Sequence, residues 1–305
     1  LLRWRIISAI VIVAIFASGC WMDVRYPPAG IGGLWLMPIG ALVCLLATWE
    51  VCRLVFRKIT PLHVGMLSVG NLLIFLSAGL PKVLSVFDID ISLTALGWPM
   101  LLFSLATCVA FGEQMRTYKM GDRAISRLAR SVLVLAYAGL LMSFFVALRH
   151  YGSNEIGFLA LTSLIIVVKM SDIGAYTVGR ICGGRFSGAA RLAPILSPKK
   201  TLEGSVGGIL FGCLGSYLSL VWLGEWVVGS SYVPPAWWAW PLYGILLTIA
   251  GMFGDLAESL LKREAGAKDS SRWLPGLGGI LDLLDSLLFA APVAYALWAI
   301  GILGA

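Results

Sequence analysis

The chain is poor in charge. Asp, Glu, Lys and Arg make up 13% of its 305 residues, where soluble domains carry roughly a quarter. With 59% hydrophobic residues and a mean hydropathy of +0.90, this composition excludes an ordinary soluble domain and fits a polytopic membrane protein. Histidine is scarcer still. His63 and His150 sit at the edges of apolar runs, far in sequence from the acidic residues, so neither is a candidate catalytic base and both suit interfacial positions. The six cysteines (20, 44, 52, 108, 182 and 213) form no CxxC and mostly fall in apolar runs. They read as small core hydrophobes, which excludes a zinc site or a disulfide framework. No heptad, solenoid period or inverted repeat is visible, and nothing calls for a nucleic-acid partner.

What is present is a series of apolar runs. Nine candidate spans lie near 6–22, 31–49, 61–80, 91–112, 131–148, 156–178, 204–228, 236–261 and 279–303, each about long enough to cross a bilayer. The expected fold is therefore all-α, an integral membrane protein of about nine transmembrane helices. Of the 23 Lys and Arg residues, 19 fall in the N-terminus and alternate loops, on one side of such a topology. The positive-inside rule puts that side, with the N-terminus, in the cytoplasm. Arg3 and Arg5 before an apolar run ending Ala17-Ser18-Gly19-Cys20 resemble a signal segment. Ala17, where a lipoprotein site usually carries Leu, argues for reading this run as a retained span. Spans one to five hold almost no ionisable groups, so residues 1–150 read as scaffold helices. Residues 151–305 of the same continuous membrane domain carry the chemistry.

Charge returns in the stretch Gly254–Asp285. Asp255 and Glu258 are three apart, as are Asp282 and Asp285, so each pair shares one helix face. Between them lie Lys262, Arg263, Lys268, Arg272 and a Gly-rich turn, Pro275-Gly276-Leu277-Gly278-Gly279. Carboxylates that hold a hard cation, cations that hold phosphate and a turn that admits close approach suggest phosphoryl-type chemistry. Two helix ends with a solvated charged loop would be the simpler reading, but it leaves acidic pairs reaching into apolar helices unexplained. Oxygen ligands from Asp255, Asp282 and Asp285 suit Mg²⁺; zinc and copper lack soft or imidazole ligands here.

Upstream, Lys169 and Asp172 share a face deep in the sixth span. There an ionisable group costs several kcal/mol in order of magnitude. They fit either a structural ion pair or a substrate site. Ser197-Pro198 reads as a helix start, Ser as N-cap and Pro at the first helical position. That would set Lys199 and Lys200 at a positive helix end suited to phosphate.

At these residues the chain resembles the phosphatidate cytidylyltransferase (CDP-diacylglycerol synthase) family. That family's C-terminal signature runs Ser-x-x-Lys-Arg, four residues, Lys-Asp, then Pro-x-His-Gly-Gly-x-x-Asp-Arg-x-Asp. Ser259, Lys262, Arg263, Lys268, Asp269, Pro275, Gly278, Gly279, Asp282 and Asp285 match at the right spacing. Asp172-x-Gly-Ala-Tyr with Gly179-Arg180, the block Ser197-Pro-Lys-Lys-Thr201-x-Glu-Gly204 and Gly254-Asp255-Leu256 match upstream. The resemblance covers residues 169–288. Leu277 stands where the signature has His, and Leu283 where it has Arg.

The resemblance implies that CTP and phosphatidic acid give CDP-diacylglycerol and pyrophosphate. Asp255, Lys262, Asp282 and Asp285 are then the catalytic set, with Asp255, Asp282 and Asp285 on Mg²⁺. Lys199, Lys200, Lys262, Arg263 and Lys268 would cradle phosphates. Asp172, Ser197, Thr201, Glu258, Ser259, Asp269, Gly278 and Gly279 complete the substrate contacts. It also implies a multi-pass protein of the cell's inner membrane with a cytoplasmic active site; a homodimer is compatible with it. Two alternatives stay open: a CTP-using transferase or kinase acting on another lipid acceptor, and a membrane transporter. Transporters usually show repeat symmetry, whereas this chain loads its charge into one half.

Overall fold

A computed structural model of the chain describes residues 2–56, 59–89, 93–120, 123–182, 191–230, 232–271, 273 and 278–303. Arg272, Pro275, Gly276 and Leu277 lie outside the described residues. The fold is all-α. Helices α1 (Leu2–Arg25), α2 (Leu36–Val55), α3 (Pro61–Ser77), α4 (Leu80–Ser85) and α5 (Gly97–Thr117) lead to α6 (Ala124–Arg149) and α7 (Asn154–Cys182). A small hairpin, β1 (Arg191–Ala193) and β2 (Ser197–Thr201), precedes α8 (Leu202–Val228), α9 (Ala239–Glu264) and α10 (Leu281–Ala299). Each apolar run read from the sequence overlaps one of these helices. Six of them, α2 and α6–α10, are long and apolar enough to cross a membrane; α3 is apolar but shorter.

The chain divides into two compact units, with a boundary between His150 and Tyr151. The first comprises Leu1–His150 together with Glu264–Leu283; the second comprises Tyr151–Arg263 and Leu284–Ala305. The segment connecting α9 to α10 thus groups with the N-terminal helices.

The first unit is less apolar inside than its sequence suggests. Asp23, 1% exposed, accepts hydrogen bonds from the amide of Gly33 and from Arg149, 2.8 Å from Arg149 Nε. His63 lies 2.9 Å from the Glu113 carboxylate and 3.0 Å from the Ser131 hydroxyl. His63 is therefore buried among helices and has defined partners. Asn71 donates to Thr48 and to the carbonyl of Val134. It lies at a π-helical turn of α6, Leu135–Leu140, where a Cβ on Gly139 would collide with Asn71. Inside a bilayer such groups must find internal partners, because no water replaces them.

In the second unit α7 and α8 pack closely along a seam of small residues. A Cβ on Gly204 would stand 2.9 Å from the carbonyl oxygen of Ala175 and 3.4 Å from Gly179 Cα. Close backbone approach through Gly is the usual means by which membrane helices gain contact without a hydrophobic driving force. The interior of this unit also holds Tyr243, whose hydroxyl lies 2.9 Å from that of Ser163.

Candidate active site

The helix start proposed at Ser197-Pro198 is not what forms. Ser197–Thr201 is a strand, paired antiparallel with Arg191–Ala193, and α8 begins at Leu202. Thr201 is the N-cap: its Oγ1 accepts from the Gly204 amide at 3.1 Å, with Glu203 in the first turn. The local reason is that Pro198 tolerates an extended backbone on an edge strand as well as a helix start. Thr201 supplies a side-chain acceptor at the right spacing, and Ser197 has no such cap. The consequence for function is small but specific. Lys200 precedes the cap and its Nζ reaches Asp255 Oδ2 at 2.5 Å.

That contact joins two motifs 55 positions apart. Asp255 lies on α9, one residue after Gly254, and Gly254 sets how near α9 comes to α10. A Cβ on Gly254 would clash with the carbonyl oxygen of Asp285 and stand 3.1 Å from its carbon. With only hydrogen at that position, Asp255, Glu258 and Asp285 place one carboxylate oxygen each within 4.8 Å of one another. Glu258 is fully buried, and its Oε2 accepts from Lys262 Nζ at 2.6 Å, an i,i+4 pair on α9. Asp172 and Lys169 on α7 pair at 3.2 Å and lie within electrostatic reach of Asp255 and Asp285.

Three carboxylates and the ammonium groups of Lys200 and Lys262 thus share one region of the second unit. The donor set is all oxygen, which fits a hard divalent cation and offers nothing to a soft one. Among the described residues this is a cation-sized carboxylate group, and it includes two of the three residues expected from the sequence, Asp255 and Asp285, with Glu258 as its third member. Ser259, on the same helix, is half-buried, and Arg263 at its end is exposed.

Asp282 has different neighbours. Its Oδ2 accepts from the amides of Gly279 at 2.7 Å and Ser270 at 3.1 Å, and lies 2.7 Å from the Ser270 hydroxyl. Gly278 turns the backbone there with φ of +95°, a conformation that L side chains rarely adopt. A Cβ on Gly279 would run into the Ser270 hydroxyl and the Glu50 carboxylate. The two glycines of the signature are therefore required sterically, by the carboxylates that the loop closes upon.

Glu50 is the residue that sequence reading passed over. It lies on α2, 1% exposed, and accepts from Ser271 Oγ at 2.6 Å, Leu281 N at 2.8 Å and Ile280 N at 3.0 Å. The Ser270 hydroxyl lies 3.0 Å from it and 2.7 Å from Asp282, so that one hydroxyl stands within donor reach of both carboxylates. The signal was available: a glutamate inside an apolar helix is expensive and needs a reason. Lys268 and Asp269 are exposed on the same loop, and Lys199 is exposed on β2.

Residues 3–300 match the cytidylyltransferase family. The chain belongs to that family. Its relatives include proteins named phosphatidate cytidylyltransferase from Brucella suis biovar 1 and Staphylococcus aureus (strain COL). The Brucella protein is 41% identical over 166 residues, 54% of this chain and 56% of the relative. The chain thus spans just over half the length of that relative. The Staphylococcus protein is 30% identical over 264 residues, 86% of this chain and 89% of the relative. Within this cytidylyltransferase-family chain, the departure Leu283 is half-buried on the first turn of α10, its amide donating to the Ile280 carbonyl at 3.1 Å.

Proposed function

We propose that the protein is a phosphatidate cytidylyltransferase of a bacterial inner membrane, using CTP, phosphatidic acid and Mg²⁺ to make CDP-diacylglycerol. The observation that carries this reading is the meeting of Lys200 with Asp255 beside Glu258 and Asp285, in a chain that matches the family along nearly its whole length. In the reaction an oxygen of the lipid's phosphate monoester forms a bond to the α-phosphorus of CTP. The bond from that phosphorus to the bridging oxygen breaks, and pyrophosphate leaves with the electron pair. The nucleophile is already ionised near neutral pH, because the second phosphate pKa is about 6. No strong base is required, which agrees with a site without histidine.

Catalysis then consists of holding two polyanions together and neutralising them. Asp255, Glu258 and Asp285 are the residues that would hold Mg²⁺, with Asp282 as a further acidic neighbour in sequence. Held there, such an ion would supply charge neutralisation of the phosphates. Lys200 and Lys262, each paired with one of these carboxylates, would add positive charge where the phosphates bind. Lys199, Arg263 and Lys268 add positive charge, and Asp172, Thr201 and Ser259 complete the polar lining. The positive-inside count supports a cytoplasmic orientation of this site.

The test is incubation of the purified protein with α-labelled CTP, Mg²⁺ and phosphatidic acid. Label in a lipid product supports the reading. Label transferred only to another lipid acceptor supports the related-transferase alternative.

A further inference from the structure

Glu50 belongs to none of the motifs in the second half of the chain, yet its carboxylate is bound up with them. It lies near the C-terminal end of α2, an otherwise apolar helix. An acidic side chain that served only solubility at a helix end would face water. This one is 1% exposed, and every hydrogen bond found for it comes from residues 270–281.

The four donors divide evenly between its two oxygens. Oε1 accepts from the Ser271 hydroxyl at 2.6 Å and the Ile280 amide at 3.0 Å. Oε2 accepts from the Ser270 hydroxyl at 3.0 Å and the Leu281 amide at 2.8 Å. Ile280 and Leu281 stand at the start of α10, where amides have no acceptor within their own helix. Each oxygen therefore serves one hydroxyl, which can rotate, and one amide, which cannot. A glutamine of the same shape would set its NH₂ group against one of those two amides whichever way it turned. The site thus asks for a carboxylate, and not merely for a polar group of that size.

A buried charge is a costly way to fasten a loop, since apolar packing of similar volume often does as well or better. What this charge fastens gives the reason. Ser270 also donates to Asp282 Oδ2, through its hydroxyl at 2.7 Å and its amide at 3.1 Å, and Asp282 is the residue after Leu281. A Cβ on Gly279 would run into both Glu50 and the Ser270 hydroxyl, so the arrangement closes without slack. We infer that Glu50 is a positioning residue of the active site: it fixes the Ser270 hydroxyl and the first amides of α10, and so sets the direction in which Asp282 presents its carboxylate. The catalytic consequence rests on the proposed cytidylyl transfer; the hold of Glu50 on Ser270 and α10 does not.

The experiment uses the full-length protein in lipid nanodiscs and reads kcat, KM, melting temperature and hydrogen exchange at Ile280 and Leu281. Glu50→Gln should speed exchange at these amides about tenfold, the loss expected for one hydrogen bond to a charged acceptor. It should lower kcat about tenfold or more through misplacement of Asp282, with KM for CTP and phosphatidic acid within about twofold of native. Its melting temperature should stay near native, because the lost amide contact is offset by removal of a buried charge. Thr48→Val is the comparison: Thr48 is a buried polar residue of the same helix that accepts from Asn71. It should lower the melting temperature and leave exchange at Ile280 and Leu281, and kcat per folded molecule, unchanged. Ser270→Ala should lower kcat while those two amides keep native exchange; should Glu50→Gln fail to fold, this variant decides alone. Native kcat in folded Glu50→Gln or in Ser270→Ala overturns the assignment. So does a loss of kcat in Glu50→Gln that only follows its melting temperature and is matched in Thr48→Val, which would make Glu50 a packing residue. Native protein that labels no phosphatidic acid would sink the proposed reaction, and exchange would still judge the hold: faster at Ile280 and Leu281 in Glu50→Gln supports it, unchanged overturns it.

Discussion

Gly254→Ala is the substitution that separates geometry from mere stability. Added to Gly254, one methyl group would overlap the carbonyl oxygen of Asp285, with Asp285 C at 3.1 Å and Phe289 Cβ at 3.2 Å. Two of these three are backbone atoms, which cannot rotate away, so α9 and α10 must separate there. Overpacking of this kind costs about 1–3 kcal/mol, part of it offset by the roughly 1 kcal/mol better helix propensity of Ala. A net loss near 1 kcal/mol would leave the protein folded. The effect on turnover should be larger, because Asp255 is the next residue and Asp285 the displaced one. A misplacement of about 1 Å can cost on the order of 100-fold in rate. Gly251→Ala, one turn earlier on the same face, is the built-in comparison. Its Cβ would meet Ser286 at 3.4 Å and nothing closer, an ordinary contact, so stability and turnover should stay near native. The assay is kcat on labelled CTP with phosphatidic acid, with melting temperature measured on the same samples. Native kcat in Gly254→Ala, or equal losses in both variants, would refute the idea that this glycine sets the carboxylate geometry.

Asp255→Asn and Asp285→Asn should each lower turnover at least 100-fold and weaken the dependence on Mg²⁺ concentration, read from metal titrations of activity; full activity in chelator would remove the metal role. Lys200→Ala should raise KM for CTP while leaving membrane insertion intact, because the other basic loops still set topology. Arg149→Ala strands the buried Asp23 carboxylate and should destabilise the protein by about 3–5 kcal/mol, seen as a lower melting temperature with little change in turnover per folded molecule. Leu277→His, tested by the same labelled-CTP assay, should raise activity modestly at most, since an ionised nucleophile does not need a nearby imidazole.

What the sequence made legible was what local pattern and spacing carry. Apolar runs of spanning length became helices, and the motifs around Lys200 and Asp255 were legible as candidate ligand-binding residues, although the contact between the two side chains was not. The helix start at Ser197-Pro198 was misplaced because a Ser-Pro pair fits a cap and an extended strand equally well. Only the hydrogen bond from the Gly204 amide to Thr201 decides between them. Glu50 was invisible for a different reason. Its partners, Ser270, Ser271, Ile280 and Leu281, lie 220 to 231 positions away, and no local pattern links them. The same holds for Asp23 and Arg149, 126 positions apart. Membrane helices that looked like plain scaffold carry buried polar pairs because burial is decided by what packs opposite, which spacing along one helix does not encode. Asp282 shows the limit of motif reading, since sharing a helix face with Asp285 did not reveal that it accepts the amides of Ser270 and Gly279.

The central claim is that carboxylates and lysines of the second unit serve transfer of a cytidylyl group to a phosphorylated lipid. Its most direct measurement is the lipid-extracted radioactivity after the purified protein is incubated with α-labelled CTP, phosphatidic acid and Mg²⁺. The account predicts labelled CDP-diacylglycerol with one equivalent of pyrophosphate, abolished by chelator and by Asp255→Asn. Folded native protein that leaves all label in the aqueous phase, with every lipid phosphate acceptor supplied, would contradict it.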